Sequence, residues 1–305
     1  MKVIITGGSG FIGSHVVNEL VVQNHEVIIY DIDTPRFGQR CEFIRGDVRD
    51  IDRLVAFAKG ANAIYHLAAE ANVNRFYESP LFSSEITALG TLCVLEAARR
   101  TDIERVLLAS TEWIYGSVEE AGSSQITEDT PYAQKPDHLY TSSKIAAELF
   151  CINYKRLYDV NYTIMRYGIP FGERARPETV TPIFIKKILN NEEVSVHGDG
   201  SQTRQFIYVK DLALGNVACL KQQAENQIIN LNGKERISVQ HIIQTIEKII
   251  GRKAIVTFVE DRKGNFKGRF ISSKKALRLL GWEPLVEYEE AMSHYVDWFL
   301  KCEQQ

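Results

Sequence analysis

An uninterrupted run of eighteen apolar residues is missing from the sequence, so no membrane-spanning helix is expected. An excess of basic charge is missing too. Lys and Arg number 36 against 39 Asp and Glu, a formal net charge of −3. That balance gives no field to hold nucleic acid or an anionic membrane, although local arginines still suit a small anion. The five cysteines, Cys41, Cys93, Cys151, Cys219 and Cys302, are scattered and form no C-x-x-C pair. A disulfide framework and a cysteine metal site are therefore not expected, and reduced thiols in a cytoplasm fit best. Internal repeats and low-complexity tracts are absent as well. The opening MKVIITGGSGFIG has one Lys and a short apolar run that breaks into glycines. It reads as a buried strand and turn, not as a signal peptide.

What is present is a 305-residue chain, 45% hydrophobic and 25% charged, able to bury a sizeable core. Short apolar runs alternate with helical patterns through the first half. Strands are expected at 3–6, 26–31, 41–47, 63–69, 105–110 and 162–167. Helices are expected at 11–23, 50–59 (after an aspartate cap), 81–100 and 139–158. This rhythm predicts an α/β fold, a doubly wound parallel sheet covered on both faces. After Gly172 it changes. A charged, proline-containing loop leads to a short helix, two short strands around a Gly-Asp-Gly turn, a helix at 211–222 and a last helix at 287–301. The expected division is a nucleotide-type domain over 1–167, to which 204–228 returns, and a smaller α/β lobe over 168–305. A ligand then belongs beyond the carboxyl ends of the strands.

The stretch TGGSGFIG places Gly7, Gly10 and Gly13 between a strand and a helix, with Phe11 and Ile12 opening the helix. Glycines there permit a tight turn and let backbone approach a pyrophosphate, which the helix N-terminus attracts. Asp31, 18 residues past Gly13, ends the second strand, where a carboxylate accepts from a ribose diol. It would repel a 2′-phosphate, which favours NAD over NADP, although Arg36 follows close by. Asp47 and Val48 close the third strand and either touch the adenine or simply form a turn.

Tyr140 and Lys144, four residues apart in YTSSK, share one helix face. An ammonium beside a phenol favours the phenolate, and a phenol so tuned can move a proton near neutral pH. The same spacing also occurs in ordinary surface packing.

Taken in order, TGGSGFIGSH, Asp31, GDVRD, HLAAEANV, GTLCVLEAAR, residues 110–116, YTSSK, GDGSQTRQFIYVKDLA and LGWEP cover nearly the whole chain. This series resembles the extended short-chain dehydrogenase/reductases. Within them it is most similar to the NAD-dependent epimerase/dehydratase group acting on nucleotide sugars, such as UDP-glucose 4-epimerase and the nucleotide-sugar 4,6-dehydratases. The resemblance implies a Rossmann domain, bound NAD, and a homodimer paired through the helices at 81–100 and 139–158. It also implies residue roles. Thr111 hydrogen-bonds the sugar hydroxyl and Tyr140 is the base. Lys144 holds the nicotinamide ribose and depresses the tyrosine pKa. Leu67, Ala68 and Ala69 pass close to the cofactor, while Arg204 and Arg262 meet the substrate diphosphate.

Departures from the family pattern accompany the match. Ile169 stands where RYFNVYG has Asn, Thr87 where N-x-x-GT has Asn, and Asn265 where R-x-G-D has Asp. The dehydratases resemble S-T-D-E-V-Y-G, with an acid followed by a base; here the order is Glu112 then Trp113. The acid position is filled and the base position is not. Elimination of water needs both, whereas C4 epimerisation needs neither. Glu112 either donates a proton or only orients the sugar, and Trp113 is expected to pack under the loop. The expected function is a nucleotide-sugar 4-epimerase (UDP-, dTDP-, GDP- or CDP-linked). The alternatives are a 4,6- or 5,6-dehydratase using Glu112, or a non-catalytic cofactor sensor.

Overall fold

The computed structural model describes residues 1–116, 125–260 and 270–303. Seven parallel strands form the main sheet: β1 (Lys2–Thr6), β2 (Glu26–Asp31), β3 (Glu42–Arg45), β4 (Ala63–His66), β5 (Arg105–Thr111), β7 (Asn161–Tyr167) and β11 (Gln227–Leu231). Their spatial order is β11-β7-β5-β4-β1-β2-β3. The order reverses between β1 and β4, in the middle of the sheet, which makes the space beyond their carboxyl ends the natural ligand crevice. The strands are buried on both faces because helices cover both, so they read as continuous apolar runs. β5 is buried from end to end.

One face carries α1 (Phe11–Val22) and α7 (Val209–Ala218). The other carries α2 (Ile51–Ala58), α4 (Pro80–Arg100) and α5 (Leu139–Tyr158). The aspartate cap expected before α2 is formed: the Asp50 side chain accepts from the Arg53 amide. A short helix, α3 (Val73–Glu78), precedes α4. Helix α4 is long and apolar enough by composition to cross a membrane. In this fold Thr91, Val94, Leu95, Ala97 and Ala98 of that helix are buried in the core. It also holds a π-helical turn, Glu85–Leu89, a distortion that often marks a functional site.

The smaller lobe joins β8 (Ile169–Phe171), β10 (Thr203–Tyr208) and β12 (Arg236–Ser238) in one sheet, flanked by α6 (Val180–Leu189), α8 (Val239–Ile250) and α10 (Tyr288–Glu303). The two strands around the Gly-Asp-Gly turn do not pair with each other. β9 (Glu193–His197) pairs with β13 (Ile255–Val259), while β10 pairs with β8 and β12. Residues 203–208 thus stay in the small sheet. Farther along, α7 packs on α1, and β11 joins the main sheet beside β7. A third pairing, β6 (Gln125–Ile126) with β14 (Phe270–Ile271), and helix α9 (Lys274–Leu280) complete the fold.

Candidate active site

The glycine loop after β1 packs directly under the segment after β4. Gly7 has φ +76, and a Cβ there would lie 2.6 Å from the Ala68 amide nitrogen. A Cβ on Gly13 would lie 2.1 Å from the Gly7 carbonyl oxygen. Only glycine allows these approaches. They press Leu67-Ala68-Ala69 and the start of α1 against the loop. Gly10 caps α1 without a side-chain hydrogen bond, so the first-turn amides of Phe11, Ile12 and Gly13 face forward.

Asp31 closes the other side of this cradle. Its carboxylate accepts from the Ser9 amide at 2.9 Å and the Asp33 amide at 3.1 Å. Burial pushes its pKa up, and the amides of Asp33 and Ser9 pull it back. Each oxygen keeps a lone pair for a further donor. A glycine turn, a helix N-terminus and a carboxylate one strand away fit a dinucleotide. Asp47 is already engaged. It pairs with Arg49 at 2.7 Å, and Arg49 reaches Glu85 on the π turn at 3.0 Å. Val48 is buried, and a Cβ on Gly90 would lie 2.8 Å from it.

Thr111 is the last residue of β5, opposite Tyr167 on β7. Its hydroxyl accepts from the Trp113 amide at 3.3 Å and so caps the 3-10 turn Glu112–Tyr115. Glu112 is buried at the head of that turn. Trp113 meets His138 edge-on at 5.1 Å and Tyr140 edge-on at 6.1 Å. Phe76 meets the Tyr140 ring at 5.8 Å. The phenol is thus held between two aromatic edges with Thr111 at its hydroxyl. Trp113 packs as expected, though on the Tyr140 ring itself.

Lys144 is 4% exposed, and its Nζ donates to the Ala109 carbonyl at 2.8 Å. Burial lowers its pKa to about 8, with Glu148 and Cys151 drawing it up. The expected depression of the Tyr140 pKa is not found. Burial pushes the phenol up, against the opposing pulls of the Thr111 hydroxyl and Arg176. The cause is that desolvation of a phenolate in this aromatic slot outweighs the Thr111 hydroxyl and the Arg176 cation together.

Of the substrate residues, Arg204 lies on β10 opposite Ile237, its Nη1 donating to the Thr203 carbonyl at 2.8 Å. Arg262 and Asn265 lie outside the described residues. Ile169 begins β8 opposite Phe206 and joins the apolar core of the lobe, so no amide is offered there. Thr87 accepts from the Glu70 amide at 3.2 Å, which ties the π turn to the loop after β4.

Motif spacing does not single out three further groups. Arg176 donates to the Ala71 carbonyl at 3.3 Å and bears electrostatically on Tyr140. Glu148 and Arg166 form an ion pair, 0% and 2% exposed, behind the strand that carries Thr111. The only sequence signal for Glu148 is its place one further turn along the Tyr140–Lys144 face.

Residues 3–232 match the NAD dependent epimerase/dehydratase family. A Methanocaldococcus jannaschii protein, provisionally named a UDP-glucose 4-epimerase, is 34% identical over 306 residues, 97% of each chain. The structure of a Thermotoga maritima UDP-glucose 4-epimerase with UDP-glucose superposes with a TM-score of 0.93 at 26% identity, covering 99% of this chain and 100% of that one. A Bacillus cereus UDP-glucuronic acid 4-epimerase, in complex with UDP-glucuronic acid and NAD, gives 0.90 at 28% identity over the same shares.

Proposed function

Because this chain belongs to the NAD-dependent epimerase/dehydratase family, we propose that it is a nucleotide-sugar 4-epimerase acting on a UDP-linked hexose or hexuronate. The observation that carries the reading is the pairing of Tyr140 with Thr111, flanked by Trp113 where elimination would require a second base.

NAD, when bound, would supply reversible hydride acceptance at C4 of the sugar. The amides and glycines of Gly7, Gly10, Phe11, Ile12 and Gly13 would hold its pyrophosphate, Asp31 the adenosine ribose, and Asp47 and Val48 the adenine edge. Leu67, Ala68 and Ala69 would line its path, and Lys144 would meet the nicotinamide ribose. Thr111 orients the C4 hydroxyl, and Tyr140 takes its proton during oxidation and gives it back during reduction. Arg204 and Arg262 would hold the diphosphate, leaving the hexose free to turn. Glu112 orients the sugar. Arg176, a cation beside the phenol, suits a substrate with an anionic group on the hexose.

The apolar residues exposed on α4 and α5 support a homodimer through these helices. Leu81 is 74% exposed and Leu157 66%, with Phe82, Leu89, Leu149 and Tyr158 also outside.

The test is incubation with NAD and UDP-glucose, UDP-galactose, UDP-glucuronate or UDP-galacturonate, followed by proton NMR and mass spectrometry. Interconversion of the C4 epimers at constant mass is expected. Loss of one water would replace this reading with a dehydratase using the buried Glu112 as its acid.

A further inference from the structure

We propose that Glu148 is a positioning residue for the reaction: from beneath the site its carboxylate keeps Lys144 cationic and anchors the strand end that carries Thr111. The inference rests on the epimerase reading for its activity assay, and on NAD binding alone for its second assay.

The geometry begins with the helix. Tyr140, Lys144 and Glu148 follow at intervals of four residues on α5, so they stack along one face. That face is turned inward, and Glu148 is fully buried. A carboxylate in such a place must be paired and hydrogen-bonded. Arg166 on β7 meets it with Nη2 at 2.8 Å and Nε at 3.2 Å to each oxygen. The Tyr132 hydroxyl donates to it at 2.9 Å, and Ser110 Oγ donates to its other oxygen. Ser110 immediately precedes Thr111. One carboxylate therefore ties the end of β5 to α5 and β7 together.

Arg166 extends the anchor. It donates to the Tyr115 hydroxyl at 2.9 Å and the Glu128 carbonyl at 3.1 Å, and Tyr115 donates to Asn230 at 2.7 Å. Tyr115 ends the turn that Thr111 caps, so both ends of that turn are fixed to the same ion pair.

Lys144 has its own need for an anion. Its ammonium is almost fully enclosed and its described hydrogen bond is to one carbonyl. The groups that bear on it are Glu148 and Cys151 from α5 and His66 from β4. His66 is held neutral by burial, with hydrogen bonds to Thr6 and Thr91. Burial keeps Cys151 a thiol. The turn packed on α5 adds Glu112 and Tyr115, and α5 itself adds Tyr140. Of these groups, Glu148 is the carboxylate whose charge draws the Lys144 pKa up, one helical turn along the same face.

The experiment compares wild type, Glu148→Gln, Glu148→Asp and Ser110→Ala between pH 6 and 9. It measures epimerisation rate and, separately, NAD affinity by calorimetry. In Glu148→Gln the alkaline loss of rate and of NAD affinity should begin about one pH unit lower. Near pH 6 the Glu148→Gln rate should lie close to that of Ser110→Ala, and it should fall about tenfold further by pH 8. Glu148→Asp, which keeps the charge, should restore the pH midpoint. Ser110→Ala should lower the rate without moving it. Should Glu148→Gln fail to fold, the apolar double variant Glu148→Met/Arg166→Met carries the same readout. A lower melting temperature with unmoved pH midpoints in both assays would overturn the proposal. If no sugar reacts with wild type, the NAD profile still decides the role of Glu148, while the epimerase reading alone falls.

Discussion

The indole of Trp113 meets the ring of Tyr140 edge-on, with centroids 6.1 Å apart and planes at 89°. Where the dehydratases have a base, this chain has a wall that clamps the residue proposed to move the proton. Trp113→Ala should loosen that clamp. We expect kcat to fall about tenfold with NAD affinity unchanged, since an aromatic pair contributes about 0.5–1.5 kcal/mol and the phenol also loses its orientation. Steady-state kinetics beside NAD calorimetry measure this, and an unchanged kcat would show that the indole does not position Tyr140.

Tyr140→Phe removes the proposed proton carrier and leaves the ring between Phe76 and Trp113. Turnover should fall about 10²–10⁴-fold while NAD still binds. Turnover at the wild-type rate would assign the base elsewhere.

Gly13→Ala should strike the cofactor cradle. Its new methyl would lie 2.1 Å from the Gly7 carbonyl, a backbone atom that cannot step aside cheaply. The expected loss is about 1–3 kcal/mol of stability, together with a sharp rise in the NAD Kd. Calorimetry and thermal melting read both, and a variant that binds NAD normally would mean the loop does not hold the pyrophosphate.

Acid should destabilise the fold through two buried histidines. Burial lowers His15 to about 4 and His66 to about 3, from 6.5. Both are neutral in the folded chain and protonate earlier when unfolded, so their contribution is complete above about pH 6.5 and is lost as the pH falls toward 4. The melting temperature should drop across that window, and less steeply in His15→Gln. A flat profile from pH 7 to 5 contradicts the assignment.

Leu81→Glu with Leu157→Glu should leave the site intact and convert a dimer to monomers. Both side chains project from the exposed apolar face of α4 and α5. Light scattering after size exclusion tests it, and a wild type already monomeric at micromolar concentration rules out this interface.

The amino-acid order alone determined the parallel α/β sheet. Apolar runs of strand length, glycines at a strand–helix junction and an aspartate at the second strand end are local signals. Each reports a local backbone requirement. Thus β2 falls at 26–31 and α5 at 139–158, as periodicity predicts. Four-residue spacing put Tyr140 and Lys144 on one helix face, and the family resemblance pointed to Thr111. The rest belonged to the tertiary structure. β9 and β10 separate into different sheets because their partners lie far along the chain, which no local turn signal encodes. Ion pairing and desolvation are likewise decided in space. Nothing in the sequence pairs Glu148 with Arg166, yet the fold buries them together behind β5. The Tyr140 phenol, expected to be lowered by its helical neighbour, is raised by the slot that Phe76 and Trp113 make around it. Spacing fixes which groups share a helix face, and packing fixes how much water they keep.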